Sequence, residues 1–298
     1  MVKNGMLEYL LKHIPRQKTG SYELLSRLRR DKTSSHRDKS SVSTMKGPGK
    51  LIDHILSCRH ELKYHISESK AEGIAQFIKP YLHLDHYCKV QPSGAYPVVT
   101  LYLDSDNFQL CRQTLEGNKN RFKLRIRSYT DELDYPRFFE IKRRMNAIII
   151  KNRARVRHQD IATLLSGLSL PPQDYDTDEG TLKQFQLYVK SIKAKPVMRV
   201  RYMRRAYEGD SENRVRVTFD RQLAYNVDSR PEVTFKGRGW QRHSMGGVIL
   251  EIKFTARYPA WLSRMVKCFD LRQQSISKYV SSVKQSCLVG FCAPRLSV

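Results

Sequence analysis

In the stretch NRFKLRIRSY (120–129) every second residue from Arg121 to Arg127 is a cation, and Phe122, Leu124 and Ile126 fill the gaps between Arg121, Lys123, Arg125 and Arg127. The same parity recurs in other short stretches: Arg59, Glu61 and Lys63; Glu140, Lys142 and Arg144; Arg214 and Arg216 with Thr218 and Asp220; Glu251 and Lys253. Arginine presents a planar fork that holds phosphate oxygens in pairs, and lysine acts as a compact point charge. Such a surface is suited to binding phosphate groups and to transferring them, a reaction that asks for positioning and charge neutralisation more than for covalent help. The carboxylates among the cations offset their mutual repulsion, and one or two could hold a divalent cation. No serine or histidine in these stretches stands as an obvious nucleophile, and the dispersed histidines show no metal-ligand spacing.

Period-2 alternation of charge and apolar residues demands strands. Eight candidates follow: 58–65, 96–104, 121–128, 137–144, 197–207, 213–220, 230–235 and 247–254. Helical patterns fall at Ser67–Tyr81, Asp160–Leu168, Thr181–Ile192 and Pro259–Leu271, with another short helix through SISKYVSSVKQ. A sheet with a basic face toward water would be one arrangement. A sheet closed into a barrel, with charge inside and helices over the grease, is the other, and eight strands leave an interior wide enough for side chains or one small ligand. The second accounts for both faces, because Leu62, Phe122, Leu124, Ile126, Phe139, Ile141, Val217 and Ile252 need cover that Ile74, Phe77, Leu262 and Met265 can give. The expected fold is α+β: an eight-stranded antiparallel tunnel barrel with a charged interior, covered by helices on the outside.

The 298 residues carry 54 Lys and Arg against 29 Asp and Glu, a net charge of +25, which implies a polyanionic partner. Residues 1–50 hold 12 Lys and Arg against 4 Asp and Glu and few apolar side chains. They read as a basic, largely flexible segment ahead of a catalytic domain over 51–298, with a short amphipathic helix at Met6–Ile14. This segment is a solvated arm or, more sharply, an electrostatic tether to membrane or polyphosphate. No apolar run is long enough to span a bilayer and no secretory core is present. The six scattered cysteines read as buried thiols in a reduced, cytoplasmic protein.

Nine pieces, in order, resemble the polyphosphate polymerase (VTC) domain of the triphosphate tunnel metalloenzymes: RHELKY, TLYLDS, RFKLRIRSY, FFEIKRR with KNRARV, RYMRRAYE, RVRVTFD, VILEIKF, YPAWL and SISKY. The resemblance implies transfer of the γ-phosphate of ATP to a growing polyphosphate chain, with Mn²⁺ or Mg²⁺. By position it implies that Lys63, Arg125, Arg127, Lys142, Arg204 and Arg216 grip phosphate, that Glu251 binds the metal, and that Lys278 adds a basic contact. Lys123, Lys151, Arg153 and Lys253 belong to the same wall, and Arg214 shares the parity of Arg216. Glu140 reads equally as a metal ligand or as a salt-bridge partner for Lys142 or a neighbouring arginine. The wider superfamily often opens with E-x-E-x-K; here Arg59 stands at the first acid, which moves the chain toward the polymerase branch. The short N-terminal segment leaves no room for the helical sensor of fungal members, so a stand-alone, bacterial-type protein is expected.

Competing expectations are a hydrolase of triphosphate or polyphosphate with the same wall, a tunnel that only binds polyanion, and a nucleic-acid-binding β-protein. The last fits least, because single-strand binders interleave cations with stacking aromatics, whereas these faces carry carboxylates. Sequence-specific nucleic-acid recognition is not expected. Asp104 and Asp220 read as turn or capping residues at strand ends, and Tyr64, Tyr102 and Tyr202 as packing.

Overall fold

The computed structural model describes residues 59–146, 148–168, 176–209, 215–255 and 258–288. The Met6–Ile14 helix and the rest of residues 1–58 lie outside them, as do Arg214 and Cys292.

The alternating stretches become eight long or medium strands in one antiparallel sheet. They are β1 (Arg59–Ile66), β3 (Tyr96–Asp104), β4 (Asn120–Ser128), β5 (Arg137–Met145), β6 (Ile148–Val156), β7 (Lys195–Glu208), β8 (Arg216–Val227) and β10 (Val248–Thr255). Two-residue strands, β2 (His83–Leu84) and β9 (Gln241–Arg242), pair with β7 and β8. The order is β1-β10-β8-β7-β3-β4-β5-β6, and among the described residues no ladder joins the two edge strands β1 and β6. The sheet nevertheless curls on itself: Lys142 of β5 donates to Glu61 of β1 at 3.1 Å, although the two strands lie near opposite ends of that order.

The convex face carries the grease. Helices α1 (Glu68–Ile78) and α6 (Ala260–Cys268) bury Ile74, Ile78, Leu262 and Met265 against Val217, Phe219, Leu250 and Ile252 of β8 and β10. Helices α4 (Ile161–Leu165) and α5 (Asp176–Ser191) do the same over β3 to β6, setting Leu164, Leu182 and Phe185 on Leu124, Ile126, Phe139 and Ile141. Each such side chain contributes about 1.5–3 kcal/mol by leaving water. Two short helices, α2 (His86–Lys89) and α3 (Gln109–Leu115), have no counterpart in the sequence reading. Asp85 caps the first through the Cys88 amide at 2.9 Å; Asp104 accepts from the Leu110 and Cys111 amides of the second.

The last helix, α7 (Lys278–Leu288), sits on the other side of the sheet. Its Tyr279, Val280 and Val283 pack with Tyr102, Met198, Val200 and Tyr202, residues whose neighbours on the convex face, Val99 and Leu101, belong to the α4–α5 side. It therefore occupies part of the concave face.

Two element assignments change. RPEVTF (230–235) is not a strand: β8 runs on to Val227 and supplies the ladder, Pro231 lacks a donor, and the Phe235 amide donates to the Asp131 carboxylate. The segment crosses the outer face and buries Val233. The eighth long strand is β6, whose alternation is blurred by Ile149 on the charged parity and Asn152 on the apolar one. Of the described cysteines, Cys88 and Cys111 are buried as expected, whereas Cys268 is exposed.

Candidate functional site: a cation-lined tunnel wall

The centre of the wall is one carboxylate. Glu140 on β5 stands in register with Arg125 on β4 and Arg153 on β6, so both guanidinium groups reach it along the rungs. Arg125 Nε donates at 2.7 Å and Lys151 Nζ at 2.8 Å; Arg153 also pairs with it, and Arg127 stands 3.8 Å away. Glu140 is wholly buried. Burial alone would push its carboxyl up, but Arg125, Arg127, Lys151 and Arg153 outweigh this and hold it well below the usual carboxylate range. With its oxygens so engaged, Glu140 acts as the counter-charge that fixes four cations in place. It does not hold Lys142, which turns to Glu61 on β1.

A second group lies across the tunnel on β1, β8 and β10. Glu61 takes Lys63 at 2.9 Å and Lys142 at 3.1 Å. Its carboxyl is depressed to about 2: burial and Glu251 raise it, but Lys63, Lys142 and Lys253 together prevail. Asp220 accepts two bonds from the Arg204 fork, at 2.6 and 2.7 Å, and lies 2.6 Å from Lys278 Nζ at the start of α7. It is mid-strand rather than at a strand end, so its role is to aim Arg204 and Lys278 rather than to cap a turn. Arg204 and Lys278 also lie over the Tyr202 ring, at 5.2 and 4.7 Å from its centre. Glu251 has Lys253 at 2.6 Å and Arg204 farther off, at 3.7 Å. Burial opposes its ionisation, yet Lys253, Lys63, Arg204 and Lys278 hold it well below the usual range.

Towards the other rim Arg216 pairs with Asp85 at 2.5 Å and Glu208 at 2.8 Å. Lys123, unlike Lys63, Lys142, Lys151 and Lys253, has no carboxylate within ion-pair distance. Its ammonium donates to Ser277 Oγ at 2.8 Å and faces Lys142 directly across the β4–β5 rung. Burial and repulsion from Lys63, Lys142 and Arg125 bring it down to about 7.

The structure thus brings Lys63, Lys123, Arg125, Arg127, Glu140, Lys142, Lys151, Arg153, Arg204, Arg216, Glu251, Lys253 and Lys278 to one concave face. Sequence reasoning placed Glu61 and Asp220 among the charge-balancing acids but not their partners, and it missed Asp85 and Ser277, which pair with Arg216 and Lys123. It also missed Tyr129, which accepts from Arg153 at 3.2 Å and whose phenol, against the effect of burial, is lowered to about 7 by Arg153, Arg127 and Lys151. Asp104, by contrast, behaves as a capping residue, and also accepts from Tyr279 at 2.7 Å.

Among the described residues no three His, Cys, Asp or Glu side chains converge as a metal cage. One buried carboxylate, Glu251, with Glu61 nearby, would suit only a hard divalent cation, which takes one or two carboxylates and completes its shell with water and phosphate oxygens. Mg²⁺ or Mn²⁺ fits; a thiolate- or imidazole-loving metal does not. Among the described residues no helix is long and apolar enough to cross a membrane.

The family model described as "VTC domain" matches residues 58–287. No curated protein matches the chain. Solved structures with a similar arrangement include a Bacillus halodurans protein described as a candidate adenylate cyclase (14% identity, TM-score 0.43, covering 74% of this chain and 94% of that one). Others are the PH1819 protein of Pyrococcus horikoshii OT3 (13%, 0.39, 77% and 98%) and the Mimivirus capping enzyme triphosphatase (10%, 0.31, 75% and 94%).

Proposed function

The chain belongs to the VTC domain family, whose chemistry is that of polyphosphate and triphosphate, and on that premise we propose that it is an ATP-dependent polyphosphate polymerase. On this reading the triphosphate of ATP lies along the concave wall, gripped by the arginine forks of Arg125, Arg127, Arg204 and Arg216 and by the lysines between them. The terminal phosphate of a polyphosphate chain attacks the γ-phosphorus, the bond to the β-phosphate oxygen breaks, and ADP leaves with that oxygen's charge. Lys63, Lys142 and Lys278 neutralise charge on the transferring group. Glu251 would hold Mn²⁺ or Mg²⁺, which when bound supplies further neutralisation of phosphate oxygens.

One observation carries the choice of transfer over hydrolysis. Glu61, Glu140, Asp220 and Glu251 are all tied to cations and all held below their usual range. Such carboxylates are poor general bases for an attacking water, which leaves only Lys123, Lys151 and Tyr129 of the described wall residues, each lowered to about 7, for that task. A phosphate acceptor is already anionic and needs none. The enzyme would work in the cytoplasm, where ATP is available, with the basic residues 1–50 as a tether for polyanion ahead of the domain over 51–298.

The test follows the label of γ-³²P-ATP in the presence of Mn²⁺. Label in an acid-labile, nuclease-resistant polymer supports the proposal. Label wholly in orthophosphate would make the chain a hydrolase.

A further inference from the structure

A cross-strand row runs over the floor of the wall: Lys63 on β1 faces Glu251 on β10, Glu251 faces Thr218 on β8, and Thr218 faces Ala206 on β7. Thr218 is 1% exposed, and its hydroxyl oxygen has no hydrogen-bond partner. The side chains around it, Glu251 opposite included, do not supply one in the structure. Ala206 has no polar side-chain atom; Arg216 is held by Asp85 and Glu208; Asp220 is held by Arg204 and Lys278. A buried hydroxyl left alone is costly, and an apolar side chain of the same shape would be free of that cost. Directly opposite residues in an antiparallel pair have Cβ atoms about 5 Å apart, so the Thr218 side chain stands beside Glu251.

We propose that the Thr218 hydroxyl is a second, neutral oxygen contact for the divalent cation at Glu251. The inference rests on the reading above that a cation sits there, and it assigns to the site a side chain from the neighbouring strand. A hydroxyl suits this place in a way that a third carboxylate would not. It adds a hard oxygen without adding negative charge next to bound phosphate.

The experiment titrates tripolyphosphate into the full chain by calorimetry, with and without Mn²⁺. Wild type, Thr218→Val, Thr218→Ser and Glu251→Gln are compared, each first checked by thermal denaturation. The expected result is a Mn²⁺-dependent gain in affinity for wild type and Thr218→Ser. The gain falls three- to tenfold in Thr218→Val and disappears in Glu251→Gln, while the metal-free affinity of Thr218→Val equals that of wild type. If Thr218→Val loses affinity equally with and without Mn²⁺, the hydroxyl contacts phosphate and the inference is overturned. A full Mn²⁺ gain in Thr218→Val overturns it as well, leaving an oxygen that meets only buried water. Absence of any gain in wild type removes the cation from the proposed function itself and this inference with it. Should Thr218→Val fold poorly, Thr218→Ala is read by the same criteria.

Discussion

Lys142 on β5 donates to Glu61 on β1 at 3.1 Å, joining two strands that share no ladder. The tunnel is thus closed at this level by side chains rather than by main-chain hydrogen bonds, and the closing lysine is one of the phosphate-gripping cations. Lys142→Ala should lower stability by no more than about 1 kcal/mol, since the pair is partly exposed and Glu61 retains Lys63. Tripolyphosphate affinity should fall at least tenfold. Denaturant unfolding and calorimetry measure the two effects separately; a large stability loss with unchanged affinity would make Lys142 a structural staple only.

Glu140→Gln should be far more damaging to the fold. The substitution removes the wholly buried counter-charge of Arg125, Lys151 and Arg153; breaking a fully buried pair costs about 3–5 kcal/mol, and water at the partly exposed Lys151 and Arg153 brings the cost toward the lower end. Polyphosphate should restore much of the lost melting temperature, because its oxygens replace the missing charge. A variant as stable as wild type without ligand would show that the four cations do not depend on Glu140.

How much of this was legible beforehand depends on parity. Arg121 to Arg127 declare their face because each strand position alternates, and Glu251 with Lys253 does the same. Partners could not be read that way. Asp220 resembled a turn residue because β8 was taken to end there, and only the continuation to Val227 places it under Arg204 and Lys278. Asp85 lies in a cap ahead of a four-residue helix that has no periodic signal. The place of α7 on the concave face follows from Tyr279 stacking on Tyr102 at 4.7 Å, a long-range contact that no local pattern encodes.

Lys123 should make ligand binding depend on pH. Its amine, at about 7, is largely neutral at pH 8 in the free protein. A polyanion favours the ammonium, so binding takes up protons and affinity falls as pH rises from about 7 to 9. Calorimetry in two buffers of different ionisation enthalpy counts the protons, and Lys123→Met should reduce the count. In the free protein the sign is opposite: the unfolded chain, with its lysine at the ordinary value, binds more protons between pH 7 and 10, so this residue makes stability rise with pH over that window. Proton uptake unchanged in Lys123→Met would assign it elsewhere, with Tyr129 next to be tested.

Asp220→Asn separates aiming from gripping. Arg204 and Lys278 stay on the wall but lose the carboxylate that orients them. Turnover should fall more than tripolyphosphate affinity, by roughly tenfold or more, as expected when positioning is lost. Equal losses in both would place Asp220 among the binding groups.

The most direct test of the account incubates the full chain with ATP and Mn²⁺ and resolves the products on a gel stained for polyphosphate, beside Glu251→Gln and Lys142→Ala. The account predicts a long, nuclease-resistant polymer from wild type and none from either variant. ATP consumed to ADP and orthophosphate with no polymer, or polymer made equally by Glu251→Gln, would contradict it.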